Sequence, residues 1–338
     1  MTGHGGARPR RGARYRRIAQ ALTLILTFAM AWSTAGCALW LDASGSPNIH
    51  RDGMRAFVVE IARRARTVAP GFLVVPQNGE PLLTIDGEAD GPLAAEFVAA
   101  IDGLGREDLF YGYTGDDVPT PPGPRAQMLA LLDLAESLGI EVLVTDYCST
   151  PAHVAASVAS NEARGYASFA APSRGLDTIP QVVVDENGDD IVDLSDVRTF
   201  LYLIDPSAFA DRADLLDALR ATAYDLLIVD RCAEDGRPLA PADVASLQVK
   251  PSGGRRLALA YLSIGEAEDY RAYWDPAWAD EAPSWIGPEN PDWPGNYLVR
   301  YGDPAWQEIV FGLIDEIVAA GFDGVYLDKV DAYESFEE

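Results

Sequence analysis

The chain has 338 residues, with 26 basic side chains against 52 acidic ones and a formal net charge of −26. That surplus of acid excludes nucleic acid as a partner, because gripping phosphates needs a basic footprint, and it argues against an anionic membrane surface as the partner of the folded part. A hydrophobic content of 48% is too high for a disordered acidic chain, and the length suits one large α/β domain or two smaller ones.

Residues 1–36 hold six arginines and no acid, so everything after them is more acidic than the whole. Ile18 to Trp32 is apolar, and Ser33-Thr34-Ala35-Gly36-Cys37 follows. A charged region, a short apolar core and a small-residue site are the parts of a secretory signal. The core is shorter than the roughly 20 residues of a membrane-spanning helix. Ala35-Gly36-Cys37 resembles a bacterial lipoprotein cleavage box, with Thr34 where that pattern usually has Leu. This predicts a signal peptide over 1–37 and a lipid on Cys37, hence a protein anchored at the cell surface or the periplasmic side of the membrane. An ordinary signal peptide, or an uncleaved anchor, is the competing reading. Residues 38–52 read as a tether.

From residue 53 helix and strand patterns alternate. Met54 to Val68 has helical spacing, and Phe72 to Pro76 is a short apolar run, as in a strand buried on both faces. Pro92 to Ala100 reads as a helix, and Ile101 to Tyr113 as a strand with a polar interruption. Arg125 to Leu138 is an amphipathic helix closed by Gly139. Ile140 to Thr145 is a strand, Ala152 to Ala163 a helix and Tyr166 to Ala170 a strand. Residues 171–198 break the rhythm like a linker. Phe200 to Ile204, Asp225 to Val229, Leu257 to Ile264 and Gly324 to Leu327 then read as strands. Helices are expected at Pro206 to Ala221, Pro241 to Val249 and Pro304 to Ala320. Eight strands mostly separated by helices imply a parallel sheet closed as a (β/α)8 TIM barrel. An open doubly wound sheet, with its acids capping helices, is the alternative. Gln77, Asn78, Glu80, Asp146, Asp230, Glu266 and Asp328 all fall at C-terminal strand ends, the face that carries the active site in such barrels.

Several long strings are distinctive: Tyr261-Leu-Ser-Ile-Gly-Glu-Ala-Glu-Asp-Tyr270, Glu289-Asn-Pro-Asp-Trp-Pro-Gly-Asn-Tyr297, Gly321-Phe-Asp-Gly-Val-Tyr-Leu-Asp328 with Asp331-Ala-Tyr333, Pro76-Gln-Asn-Gly-Glu80, and Gly103-Leu-Gly-Arg-Glu-Asp-Leu-Phe-Tyr111. Over roughly 53–170 and 199–335 the chain resembles the glycoside hydrolases grouped with the endo-α-1,4-polygalactosaminidases (glycoside hydrolase family 114). The resemblance implies a (β/α)8 barrel that hydrolyses glycosidic bonds. The order departs from the family, where the segment like 200–333 precedes the segment like 54–170. A circular permutation is the simplest account; two half-barrels of different chains assembling, or a rearranged gene that no longer folds, are the alternatives. The permutation makes 53–170 the half with family strands five to eight and 199–338 the half with strands one to four, joined through 171–198. Closed barrels bring first and last strands together, so such a cut is tolerated.

Glycoside hydrolysis usually uses two carboxyl groups flanking the bond. The resemblance assigns Asp328 as nucleophile or base and Glu80 as general acid, with Glu266 competing for the second role. Gln77, Asn78, Asp146, Tyr147, Asp230, Tyr261 and Asp331 are candidate partners for sugar hydroxyls or amines. Trp274, Trp278, Trp285, Trp293 and Trp306 lie close in sequence, and aromatic faces suit sugars and cations. One or two, Trp293 first, are expected at the substrate, while the others pack the loop.

Asp185, Asn187, Asp189, Asp193 and Asp196 have the spacing of an EF-hand-like calcium loop, with Asp190 where a Gly is usual. A structural calcium ion and a solvated acidic linker both fit this string. Catalysis needs no cofactor in this scheme. Of the three histidines, His4 falls in the leader, and two cannot build a three-histidine zinc site. Cys148 and Cys232 follow strands that are not neighbours, so they are expected as free thiols. The expected partner is a polysaccharide, a cationic amino-sugar polymer being the kind an acidic protein attracts, with the membrane touched only through the anchor and the protein a monomer. A non-catalytic carbohydrate-binding lipoprotein on the same barrel is the alternative function.

Overall fold

A computed structural model describes residues 49–180 and 187–337. The expected signal peptide, the lipidation site Cys37, most of the tether and the calcium candidate Asp185 lie outside the described residues. In chain order the strands are β1 (Leu73–Pro76), β2 (Gly103–Glu107), β3 (Tyr111–Gly112), β4 (Gly115–Pro119), β5 (Glu141–Tyr147), β6 (Ala167–Ala171), β7 (Phe200–Leu203), β8 (Leu226–Asp230), β9 (Leu257–Ser263), β10 (Glu266–Glu268), β11 (Ile286–Glu289), β12 (Asn296–Val299) and β13 (Gly324–Asp328). The α-helices are α1 (Ile49–Val68), α2 (Ala95–Ala100), α3 (Pro122–Ser137), α4 (Pro151–Glu162), α5 (Arg212–Arg220), α6 (Pro241–Leu247) and α7 (Pro304–Ala320).

Two all-parallel sheets carry the fold, one ordered β1-β13-β9-β8-β7 and the other β2-β5-β6. Parallel bridges connect them at both edges, Gln77 with Gly105 and Ser168 with Thr199. Backbone hydrogen bonds reinforce these contacts: Asp102 N donates to Val74 O at 3.0 Å, and Ser168 N to Arg198 O at 3.2 Å. The arrangement is mixed α/β and TIM-barrel-like. Every residue of β9 is buried, and β7, β8 and β13 are buried almost throughout, which is why their sequences run apolar without alternation.

The covering helices follow from ordinary signals. In α7 the Asp303 carboxylate caps Ala305 N at 2.9 Å, Pro304 opens the first turn, and Gly321 ends the helix in a left-handed conformation. Trp306, Val310, Leu313, Ile314 and Ile317 form its buried stripe. α1 buries Met54, Phe57, Val58, Ile61, Ala62 and Ala65 in the same manner. Its start meets the last described residues: Arg51 pairs with Glu337 at 3.0 Å and His50 stacks on Phe336 at 5.5 Å.

Four features differ from the sequence-based expectation. The helix expected over 206–221 is a 3-10 turn (Pro206–Ala208) followed by α5, because Asp211 starts a fresh helix by accepting from Asp214 N. The segment through Tyr113 splits into β2 and the antiparallel pair β3-β4, and the Trp-rich stretch forms a small antiparallel sheet, β10-β12-β11. The described acidic residues 187–198 are docked rather than loose. Ile191, Leu194 and Val197 are buried, and Ile191 N donates to Arg255 O at 3.0 Å. A Cβ on Gly103 would come within 2.7 Å of Leu194 Cδ2, so this segment packs at the start of β2, on the face opposite the candidate site.

Candidate active site

At the C-terminal ends of the strands, β13 ends in Asp328. Tyr261 Oη, from β9, donates to Asp328 Oδ2 at 2.6 Å, and Lys329 N donates to Oδ1 at 2.7 Å. Lys329 has φ 58°, a left-handed turn that folds its backbone over Gly265, where a side chain would collide with it. Burial pushes the Asp328 carboxyl above its ordinary range; the Lys329 cation and the Tyr261 hydroxyl pull it back, and Glu266 adds to the rise.

The second carboxylate is Glu107, the last residue of β2. It accepts from Gln77 Nε2 at 2.5 Å, Asn78 Nδ2 at 3.3 Å and the Tyr147 hydroxyl. Burial raises its proton affinity first, and the charge of Asp328 is the next cause. Gln77 in turn accepts from Tyr202 Oη at 2.9 Å. Asn78 reaches this position through a left-handed turn (φ 55°), and its Oδ1 accepts from Glu107 N. One polar network therefore joins residues from β1, β2, β5 and β7. Tyr202 also lies 6.3 Å from Tyr261 and 5.1 Å from Tyr326, ring to ring, which brings the network against Asp328.

Glu80, the acid expected from the resemblance, sits in the 3-10 turn Glu80–Leu83, is buried, and pairs with Arg106 at 2.8 Å. Arg106 and Glu107 are consecutive strand residues and point to opposite sides, so Arg106 takes up Glu80 while Glu107 feels the charge of Asp328. Glu266 is held by Asn290 Nδ2 at 2.8 Å, Asn296 Nδ2 at 3.2 Å and Lys329 Nζ at 3.3 Å. Asp331 is partly buried just beyond, and its carboxyl is pushed up to about 7 by burial, against the pull of Lys329 and with the charge of Asp328 adding to it.

Both oxygens of Asp230 accept from Arg271 Nη1, at 2.7 and 2.9 Å, and Arg271 also binds Glu268. Asp146 does not join the cluster. It is fully buried and accepts from Ser157 Oγ at 2.6 Å and from the backbone of Phe110 and Tyr111; its neighbour Tyr147 takes the inward direction, so Asp146 faces α4. Among the tryptophans, Trp274, Trp278, Trp285 and Trp306 form a chain of ring contacts between 5.2 and 5.3 Å. Trp306 is fully buried, while Trp293 stands 37% exposed.

The calcium candidates lie at the other end of the molecule. Asn187 Oδ1 and the Asp189 carbonyl accept from Lys250 Nζ at 2.9 and 3.0 Å, and Asp225 pairs with the same ammonium at 2.7 Å. Asp193 and Asp196 are exposed. Among the described residues no group of three or more His, Cys, Asp or Glu is arranged to hold a metal ion. Cys148 and Cys232 are buried, free thiols.

Glu107 escaped the sequence reading although its string was noticed. The usable signal is Gly103-x-Gly105-x-Glu107. A side chain on Gly105 would run into the Tyr326 hydroxyl, so alternate glycines mark the crowded inner face of β2 and put Glu107 on it.

Residues 221–338 match the model of Glycoside-hydrolase family GH114. An uncharacterized protein of Deinococcus radiodurans is 44% identical over 119 residues, 35% of this chain and 37% of that protein. An uncharacterized protein of Methanocaldococcus jannaschii is 41% identical over 123 residues, 36% of this chain and 35% of that one. The chain thus spans about a third of the length of these curated relatives. Among solved structures, Aspergillus fumigatus Ega3 in complex with galactosamine aligns at 25% identity over 33% of this chain and 39% of that one, with a TM-score of 0.27. Over residues 221–338, which contain Asp230, Glu266 and Asp328, the chain is similar to the GH114 glycoside hydrolases.

Proposed function

We propose that the protein is a glycoside hydrolase whose working pair is Asp328 and Glu107. The observation that carries this reading is that two half-buried carboxyl groups from different halves of the chain lie close enough at the strand ends for the charge of one to act on the other. Glycosidic cleavage needs one carboxyl protonated and the other ionised at the same pH. Two acids that repel each other in a buried site share one proton. Asp328 has a cation and a hydroxyl beside it, which favours its charge, whereas the strongest charge acting on Glu107 is that of Asp328. Glu107 is therefore the acid that passes its proton to the leaving oxygen as the glycosidic C–O bond breaks. Asp328 is the nucleophile, or the base that takes a proton from the attacking water. Gln77, Asn78, Tyr147 and Tyr261 orient the pair; Glu266, Asp331, Asp230 and Trp293 are offered to the sugar.

The bridges at both sheet edges support a closed barrel, and the strand order supports a permuted one. An α-1,4-linked galactosamine-containing polymer is the substrate we infer, from the family likeness of residues 221–338 and from the acidic balance, which favours a cationic sugar chain. The leader supports export with a lipid on Cys37; a Cys37→Ser protein that stayed in the membrane fraction would count against the lipid.

The test is release of reducing ends from a galactosamine polymer. Asp328→Asn and Glu107→Gln are each expected to lose about 10²-fold or more, and Glu80→Gln less than about tenfold. Polymer binding without any release of ends would sink the enzyme reading and leave a carbohydrate-binding protein.

A further inference from the structure

Arg174, just beyond β6, is not among the residues used above. Its guanidinium lies over the Tyr147 ring, 4.2 Å from the centroid. The same group donates to Asp108 Oδ1 at 2.7 Å, to Asp116 Oδ1 at 2.9 Å and to the Gly112 carbonyl. One side chain thus fastens the end of β5, the loop after β2 and the β3-β4 hairpin. The geometry leaves little freedom at Gly112, where φ is 121° and a Cβ would collide with Asp108. The far strand of the hairpin is tied separately: Asp117 accepts from Ser149 N at 3.0 Å, Ser149 Oγ at 2.8 Å and Thr150 N at 2.9 Å, at the start of α4.

Tyr147 is the residue whose hydroxyl donates to Glu107. A ring covered on one face by a fixed cation keeps its hydroxyl where it is. We infer that Arg174 is a positioning residue of the site, holding Tyr147 against Glu107 and fastening the hairpin beside it. This rests on the reading of Glu107 as the acid of the pair.

The charge of Arg174 also acts on Glu107, lowering its proton affinity. Other groups face the same carboxyl. Asp328 and Asp331 act from β13 and the turn after it, Asp108 from the loop that follows β2, and Arg106 more remotely from the other side of β2. The Tyr147, Tyr202 and Tyr326 hydroxyls complete the set. Removing the Arg174 cation leaves the acids in the majority, so the Glu107 titration should move up.

The experiment is an infrared titration of the whole protein, with the Glu107 carboxyl band identified by its absence in Glu107→Gln. Arg174→Gln should raise the midpoint by about one pH unit. Arg174→Lys keeps the charge and loses the planar fork, so its midpoint should rise by less than half as much, while its activity still falls. An unmoved midpoint in Arg174→Gln overturns the inference. Should that variant fail to fold, Arg174→Lys decides alone, and a midpoint and an activity both unchanged with the fork lost overturn it. The titration needs no substrate. A moved midpoint in a protein that cleaves no polymer would sink the hydrolase reading alone; an unmoved midpoint in an active enzyme would sink this inference alone.

Discussion

Glu80 and Glu107 are both acids at strand ends inside distinctive strings, and the fold gives them different company. Which of Arg106 and Glu107 points inward depends on the register of β2, and register is set by packing across the sheet. Gly103 pairs with Glu141 and Glu107 with Thr145, and Gly105 yields to Tyr326; no local pattern around Glu80 carries that information. The strand-end position of Asp328 was legible because the residue closes a short apolar run, 324–327. Asp331, three residues on, gives a prediction from its charge. Burial is the main cause that lifts its carboxyl to about 7, well above the ordinary value near 4. The folded state therefore holds this proton more tightly than the unfolded chain. Below about pH 4 both states are protonated and the group is neutral in stability. As pH rises from there through 7 the unfolded state gains, and above 7 the folded state bears the full cost. Asp331→Asn should thus stabilise the protein at pH 8, by about 1–3 kcal/mol after discounting for solvent screening, and leave it unchanged near pH 3.5. Melting temperatures of the two proteins at the two pH values measure this; equal melting temperatures at pH 8 would refute it.

The element that departs most from its sequence is the acidic stretch 187–197. Its oxygens are spaced like those of a calcium loop, and spacing alone leaves their counter-ion open. The fold supplies a lysine: Lys250 and Asp225 are fully buried as a pair, and Asn187 and the Asp189 carbonyl complete the ammonium's acceptors. Lys250 lies 61 residues from Asp189, so only the tertiary fold could reveal the contact. A divalent ion taking Asn187 Oδ1 and the Asp189 carbonyl would have to displace that ammonium. Adding calcium should therefore leave the melting temperature of the protein unchanged and give no heat in titration calorimetry. Lys250→Met strands the Asp225 carboxylate in a dry site, and breaking such a pair costs about 3–5 kcal/mol. Replacing both partners, Lys250→Met with Asp225→Asn, should recover part of that loss. A double variant as unstable as the sum of the singles would show that the two groups are not coupled.

At the scale of the whole molecule, the parallel strands were readable because each is a compact apolar run between helices. The joints between the halves were not, since they rest on single bridges, Gln77 with Gly105 and Ser168 with Thr199, and on contacts between residues far apart in the chain. Those contacts suggest that chain order matters little once the strands have assembled. The start of α1 and the end of the described chain already touch, through Arg51 with Glu337, His50 with Phe336, and Tyr301 Oη donating to His50 O at 2.7 Å. A few residues of Gly and Ser could therefore join 337 to 49 without stretching either segment. A chain rewritten to begin at Asn187, run to 337, pass through such a linker and finish with 49–180 keeps every described contact. It also keeps Ile191 and Leu194 under the strands, which a cut at residue 199 would discard. This chain should fold with a melting temperature within a few degrees of the parent. Its cleavage of the galactosamine polymer should match the parent's within about threefold, because circular permutation is best tolerated where the new ends meet at the surface. A rewritten chain that folds but loses activity would mean that the 49–337 junction strains Asp328, nine residues away. A chain that does not fold would mean that the present order of the halves is itself needed for assembly.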